Sequence, residues 1–346
     1  MKKENNRLFS IIKSPRLAFV IFGLILIGIL FIQLNTKLIK FGFVSALCLT
    51  LCYAIVAIGF SYLLGYAGLA SLGTAGFVAL GAYITIFLLK SFTGLNYFLV
   101  LLLVLAVAIG LGFLVGFISL RIEGIFLAIV TLGLSEVLYQ VFVNAHEITG
   151  GTNGLSFRGL INVFPGVNLD RTGVYIMIVI FLVIMMILTY NLTHGPTGRA
   201  MLAMKNSTSV AQAMGISLLK YRLLAFILAT LYAAIGGSLF ALFTKYTDPK
   251  SWTIMFSLNI LACCLLGGSR SIWGILTGTF LTMGMSPMFF TDVKFLRDSP
   301  WVMQTIIGVI LILVLLFYRG GVTQMVQGLK TKLKKLLNRK EKANEQ

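Results

Sequence analysis

The sequence predicts an all-α, polytopic integral membrane protein of about ten transmembrane helices, from its composition, the length of its apolar runs and the placement of its charges. Hydrophobic residues fill 58% of 346 positions and charged residues 11%, against roughly 25% charged in a soluble domain. A soluble fold of this composition would lack the polar surface to cover itself. The runs 17–34, 100–120, 173–190 and 302–317 carry almost no charge and approach the roughly 20 residues needed to cross hydrocarbon at 1.5 Å per residue. Lipid-facing backbone must satisfy its own hydrogen bonds, which favours helices. An outer-membrane barrel would instead show short alternating segments.

In chain order, hydropathy outlines spans at roughly 17–35, 41–63, 69–89, 97–119, 124–143, 173–190, 222–243, 252–268, 272–290 and 301–318. The first follows Lys2, Lys3, Arg7, Lys13 and Arg16 in the manner of a signal peptide. Its apolar run is longer than a usual signal core and no small-x-small cleavage site follows Leu34, so it reads as a span behind a basic cytoplasmic N-terminus, 1–16. With that end inside and the spans alternating, inside segments hold 19 of the 28 basic residues and outside segments nine. The inside share includes a basic tail within 319–346, where Lys330, Lys332, Lys334, Lys335, Arg339, Lys340 and Lys342 cluster. This bias fits the positive-inside rule with both termini cytoplasmic. The net charge of +18 therefore reports topology and contact with anionic membrane lipid, and no nucleic acid partner is expected.

Two spans are poor candidates for continuous helices. Residues 65–81 and 267–278 are rich in Gly, Ser and Thr, and each begins at a Leu-Leu-Gly, Leu63–Gly65 and Leu265–Gly267. Glycine loosens a helix and admits close helix contact, so the pair hints at an internal repeat with broken helices, as in transporters. Two loops separate the spans of the 17–318 membrane domain by unusual length. The external loop 144–172 holds Gly, Asn and Pro turn signals. The loop 191–222 begins at His-Gly-Pro and includes a helix-permissive stretch too polar to span.

Catalysis in the bilayer has no visible site. Of ten acidic residues, only Glu136 lies well inside a span, and neither His146 nor His194 has a ligand-spaced neighbour. Cys48, Cys52, Cys263 and Cys264 all lie in apolar runs and read as small buried hydrophobes, with no metal or cofactor expected in this chain. An intramembrane carboxylate is costly and usually faces a polar cavity or a partner. Glu136 has two readings: it borders a translocation route, or it is buried between helices against Thr, Ser or backbone groups. Thr131, Ser135 and Gln140 share its helix. No G-x-x-x-x-G-K-[ST] loop occurs, so this chain is not an ATPase. If ATP drives it, a separate ATPase must dock on a cytoplasmic loop, and only 191–222 is long enough. The alternative is a self-contained secondary carrier or channel.

Three segments then point to a family. They are LRIEGIFLAIVTLGLSEVLYQ…ITGGTNGL (120–154), GPTGRAMLAMKNSTSVAQAMGISLLKYRLLAFILATLYAAIGGSLFA (195–241) and LLGGSRSIWGILTGTFL (265–281); GYAGLASLGTAGFVALGAY matches more loosely. Together they resemble the M-type permease subunits of bacterial branched-chain amino acid ABC importers, in the same order. The resemblance implies a subunit without its own ATP site, working with a second, H-type permease, two ATP-binding subunits that hold the ATP, and an extracytoplasmic substrate-binding protein. It implies a coupling helix in 195–221, with Gly198, Arg199, Ala200, Ala211 and Gly215 matching the family pattern; Arg199 and Lys205 offer charge to an ATPase surface. Route candidates are Glu136 and Thr131, with Ser71 and Thr74 in the first Gly-rich span. Thr208 and Gln212 stand where the family often carries acids, and Thr74 where it carries a histidine. Branched-chain amino acids are the first substrate expectation; near relatives carry urea or short amides.

Overall fold

The computed structural model describes residues 15–36, 41–92, 94–119, 125–159, 161–164, 167–289, 300–317 and 320–325. The basic stretch before Pro15 and the basic tail after Met325 lie outside the described residues.

Each of the ten apolar segments is helical. In chain order these are α1 (Pro15–Thr36), α2 (Phe41–Ser61), α3 (Thr74–Ser91), α4 (Tyr97–Ser119), α5 (Ile125–Asn144), α7 (Arg171–His194), α10 (Leu218–Thr244), α11 (Ile254–Gly267), α12 (Ile272–Thr279) with its continuation α13 (Met285–Phe289), and α14 (Pro300–Phe317). Between them lie the short helices α6 (His146–Thr149), α8 (Pro196–Asn206) and α9 (Thr208–Ala213). Among the described residues, seven helices are long and apolar enough to cross a membrane, while Ile254–Gly267 and Ile272–Gly284 are shorter. A 14-residue helix such as α11 extends only about 21 Å, less than a hydrocarbon core of about 30 Å.

Helix α10 is the centre of the bundle, packed against α2, α3 and α4 and buried along most of Ala225–Phe243. Apolar side chains gain little by leaving lipid for one another, so close backbone approach and polar contacts must hold such helices together. Both are present. A Cβ on Gly81 of α3 would strike the Ala234 carbonyl of α10, and one on Gly237 of α10 would strike the Val78 carbonyl of α3. Buried hydroxyls cross the same interfaces: Thr85 Oγ1 donates to Ser238 Oγ at 2.8 Å, and Tyr97 Oη lies 3.1 Å from Ser238 Oγ. Thr189 Oγ1 and Tyr232 Oη are 2.9 Å apart, with Tyr62 Oη beyond at 3.4 Å. Such bonds average about 0.6 kcal/mol each in a membrane. All four cysteines are buried free thiols; Cys264 Sγ donates to the Ala57 carbonyl at 3.2 Å, tying α11 to α2.

The loop between α5 and α7 departs from a purely helical chain. Strand β1 (Leu155–Ser156) pairs antiparallel with β4 (Tyr246–Thr247), and β2 (Ile161–Phe164) with β3 (Val167–Leu169). The T-G-G-T-N-G run makes this turn: Gly150, Gly151 and Gly154 have φ of 72°, 62° and 71°, a region L side chains avoid. A Cβ on Gly154 would also strike the Thr247 carbonyl. These strands cap one end of the bundle; α8 and α9 lie at the other.

Candidate functional site

The two Gly-rich segments break the helices they interrupt, and the breaks meet. Helix α2 ends in a π turn, Tyr62–Ala67, and α3 starts only at Thr74, five residues later than hydropathy places it. Helix α11 stops at Gly267, and α12 begins at Ile272. A Cβ on Gly65 would strike the carbonyl of Ser269, so one Leu-Leu-Gly lies directly against the other break. Tyr66 Oη donates to the Arg270 carbonyl, and Arg270 Nε donates to the Gly65 carbonyl, both at 3.3 Å.

The last carbonyls of any helix lack intrahelical partners. Here a cation from a third element supplies one. Lys205, near the end of α8, donates from Nζ to the carbonyls of Leu64 and Gly65 at 2.8 and 2.9 Å. Burial, and then the neighbouring Arg270 charge, hold its ammonium below the usual lysine value. Lys205 thus points into the bundle, while Arg199 on the same helix is exposed. The second break has its own donor: Thr323 Oγ1, beyond α14, bonds the Gly267 carbonyl at 2.6 Å.

The start of α3 presents the opposite need, free N–H groups, and hydroxyls from two other helices meet it. Thr131 Oγ1 of α5 accepts from Leu72 N at 3.0 Å, Ser135 Oγ of α5 from Gly76 N at 3.1 Å, and Ser257 Oγ of α11 from Ala75 N at 2.9 Å. Ser71 Oγ accepts from Gly73 N at 3.3 Å. Ser71 and Thr74 line a small space with Phe60, Phe77 and Thr230 of about 10 Å³, at the lower limit for a single water. Thr131, Ser71 and Thr74 are therefore brought together. Glu136 is not among them: it is exposed on the outer side of α5, where Gln140 Nε2 donates to its Oε1 at 3.2 Å.

The segment 195–221 forms two helices against the same end of the bundle. Gly198, Ala200, Met201 and Met204 are buried, and a Cβ on Gly198 would strike the Thr193 carbonyl. Ser207 caps α9, accepting from Val210 N at 3.4 Å. Ala211 is 1% exposed and holds α9 to the bundle, while Val210 and Met214 stand out at 54% and 76%. Gly215 leaves the helix at φ 77°. The result is a short apolar ridge offered to whatever lies beyond that end. Among the described residues, no group of three or more His, Cys, Asp and Glu is arranged to hold a metal.

Ser257, Arg270 and Thr323 escaped the sequence reading. A lone serine in an apolar helix and a lone arginine at a span boundary have many equivalent explanations, and only the meeting of the breaks selects these.

A family model described as the permease component of the branched-chain amino acid transport system matches residues 42–315, which spans both breaks, α5 and the α8–α9 segment. The chain belongs to this branched-chain amino acid transport permease family. Curated relatives agree. The chain is 29% identical over 309 residues to "High-affinity branched-chain amino acid transport system permease protein LivM" of Salmonella typhimurium, covering 83% of this chain and 71% of the relative. It is 29% identical over 310 residues to the protein of the same name from Escherichia coli, with the same coverage. It is 24% identical over 310 residues to "Probable branched-chain amino acid transport permease protein LivM" of Methanocaldococcus jannaschii, covering 78% and 89%. No solved structure matches the chain. The permease is thus a multi-pass membrane protein, a component of a transporter and not an enzyme.

Proposed function

We propose that this permease is a membrane-spanning subunit of an ATP-binding-cassette importer that moves a small polar solute, branched-chain amino acids first, across the bacterial cytoplasmic membrane. ATP is bound and hydrolysed on two separate subunits, because the sequence carries no phosphate-binding loop. The observation that carries this reading is the α8–α9 unit. Its outer side offers Val210 and Met214 for docking, and its inner side delivers Lys205 to the broken end of α2. Motion of a docked ATPase would reach the Leu64–Gly65 carbonyls directly.

In this reading the α8–α9 end is cytoplasmic, in keeping with Arg199, Lys220, Arg222 and Arg270 along it and with the basic terminal segments. The strand-capped end faces outward, towards a substrate-binding protein. A second permease subunit completes the pair. Ser71 and Thr74, at the start of α3 where backbone dipoles point into the bundle, line the solute route and Thr131 anchors that start; Glu136, exposed on the outer side of α5, stands apart from them.

Co-purification and uptake test the reading together. Solubilised permease is expected to bring down two ATPase chains, and radiolabelled leucine uptake is expected to stop when those ATPases are disabled. Uptake that persists in their absence would make the chain a self-contained carrier.

A further inference from the structure

Beside the meeting of the two breaks lies a cleft of about 570 Å³, between the turn 268–271 and the segment that follows α14; Ser269, Arg270, Ser271, Gly320, Thr323 and Gln324 line it. Its side chains have donors to spare and few acceptors. Arg270 gives Nε to the Gly65 carbonyl, and the rest of its fork of N–H donors has no partner among the described residues. Gln324 Oε1 accepts from Gly320 N at 2.7 Å, which leaves its amide donors over, and the Ser269 hydroxyl is likewise without a partner there. The charge is as one-sided as the hydrogen bonding. Lys205 Nζ and Arg270 Nε converge on one carbonyl oxygen, that of Gly65, and Arg270 helps to hold the Lys205 ammonium below its usual value, after burial. The four described acids, Glu136, Glu147, Asp170 and Asp248, sit mid-span on α5 or at the strand-capped end.

The depth of the cleft points to the source of a counter-anion. Helix α14, with 18 residues, extends about 27 Å, close to a hydrocarbon core of about 30 Å, so Gly320 just past it stands at a membrane face. Trp273, three residues after Arg270, is 40% exposed and packs edge-on against Phe22 of α1 at 5.2 Å; such amphipathic rings favour the headgroup level. On the last turns of α14, Leu313 and Leu316 are exposed, so apolar surface leads up to the polar cleft from the lipid side.

We propose that this cleft binds the phosphate of an anionic phospholipid, with Arg270 as the fork on its oxygens and Gln324 and Ser269 as further donors. A planar guanidinium matches phosphate in this way, with two parallel N–H bonds. A free phosphate ester offers the same oxygens but no chains for the Leu313–Leu316 surface. The bound anion offsets the Arg270 charge beside Lys205, so the joint at Leu64–Gly65 is firmest in a membrane rich in anionic lipid. The inference needs only that this end of the bundle meets a membrane face, and it stands whether or not an ATPase docks on α9.

The test uses the full-length chain in its complex, reconstituted with phosphatidylglycerol or phosphatidylcholine carrying a photoactivatable headgroup. After illumination, the peptide between Arg319 and Lys330 is expected to carry phosphatidylglycerol at least tenfold more often than phosphatidylcholine, and excess glycerol phosphate is expected to leave that labelling unchanged. Gln324→Glu keeps the acceptor for Gly320 N but sets a carboxylate in the cleft, so labelling should fall about tenfold at an unchanged melting temperature. Arg270→Gln should lower it similarly, while Lys220→Gln, which removes an exposed cation at the start of α10, should not. Equal labelling by the two lipids, or full labelling of Gln324→Glu, would overturn the site. Loss of labelling with glycerol phosphate would make a soluble phosphate ester the ligand and overturn the lipid. Benzoylphenylalanine placed at position 324 is expected to capture lipid; capture of an ATPase chain instead would give the cleft to that subunit and overturn the proposal as well.

Discussion

Lys205 Nζ lies 2.9 Å from the carbonyl oxygen of Gly65, joining the helix pair at one end of the bundle to the point where α2 loses its regular form. The contact is charge-assisted and partly buried, so removing the ammonium takes the donor from the Leu64 carbonyl and leaves the Gly65 carbonyl to Arg270 Nε. Such losses cost about 1–3 kcal/mol. Lys205→Met is expected to leave ATPase docking intact while uptake falls about tenfold and ATPase activity no longer responds to solute. Lys205→Arg, which keeps a donor, should recover part of the coupling. Uptake and ATPase assays on the same reconstituted complex check this.

The close approach of Gly65 to Ser269 makes Gly65→Ala an overpacking change, because the obstacle is backbone on a neighbouring segment. A loss of about 1–3 kcal/mol is expected. Gly110→Ala on α4, where nothing lies within 4 Å, is the matched control and should leave the melting temperature in detergent unchanged or slightly raised.

Thr131→Val keeps the shape of the side chain and removes the acceptor for Leu72 N. Loss of one buried partner should lower stability by about 1–3 kcal/mol. Pairing it with Ser257→Ala, which strips the acceptor for Ala75 N on the same first turn, should give a non-additive double-mutant cycle. Simple additivity would show that α3 is held elsewhere.

On α9 the exposed residue proposed for docking is separate from the buried residue that packs. Ala211 is buried and Val210 exposed, so Ala211→Leu is expected to destabilise the chain by about 1–3 kcal/mol, whereas Val210→Asp should leave its melting temperature unchanged and weaken ATPase recovery about tenfold. A Val210→Asp permease that retains its ATPases at full yield would move the dock away from this ridge.

The helices were legible because each apolar run had to be one; Leu17–Leu34 and Val100–Leu120 have no other stable form in lipid. The breaks were legible in kind from their glycines, but not their meeting, because nothing in two distant Leu-Leu-Gly motifs states that they touch. Lys205 illustrates the limit. Its charge on a polar loop suggests an outward partner, and only the packing of α8 under α2 turns it inward. Glu136 was legible as an anomaly at bilayer depth, while its outward direction depends on which face of α5 meets α3, a choice made by Thr131 and Ser135. The small strands went unread because two-residue pairings such as β1 with β4 carry no periodicity.

That pairing has a mechanical meaning. Leu155 lies opposite Thr247, Tyr246 Oη donates to the Asn153 carbonyl at 3.1 Å, and Trp252 Nε1 donates to Thr247 Oγ1 at 2.8 Å. The first two contacts rivet the loop after α5 to the loop between α10 and α11, and the third braces that second loop internally. Levers riveted at one end keep their play at the other. In this molecule the free play falls where two helices are already interrupted and where Lys205 holds the joint.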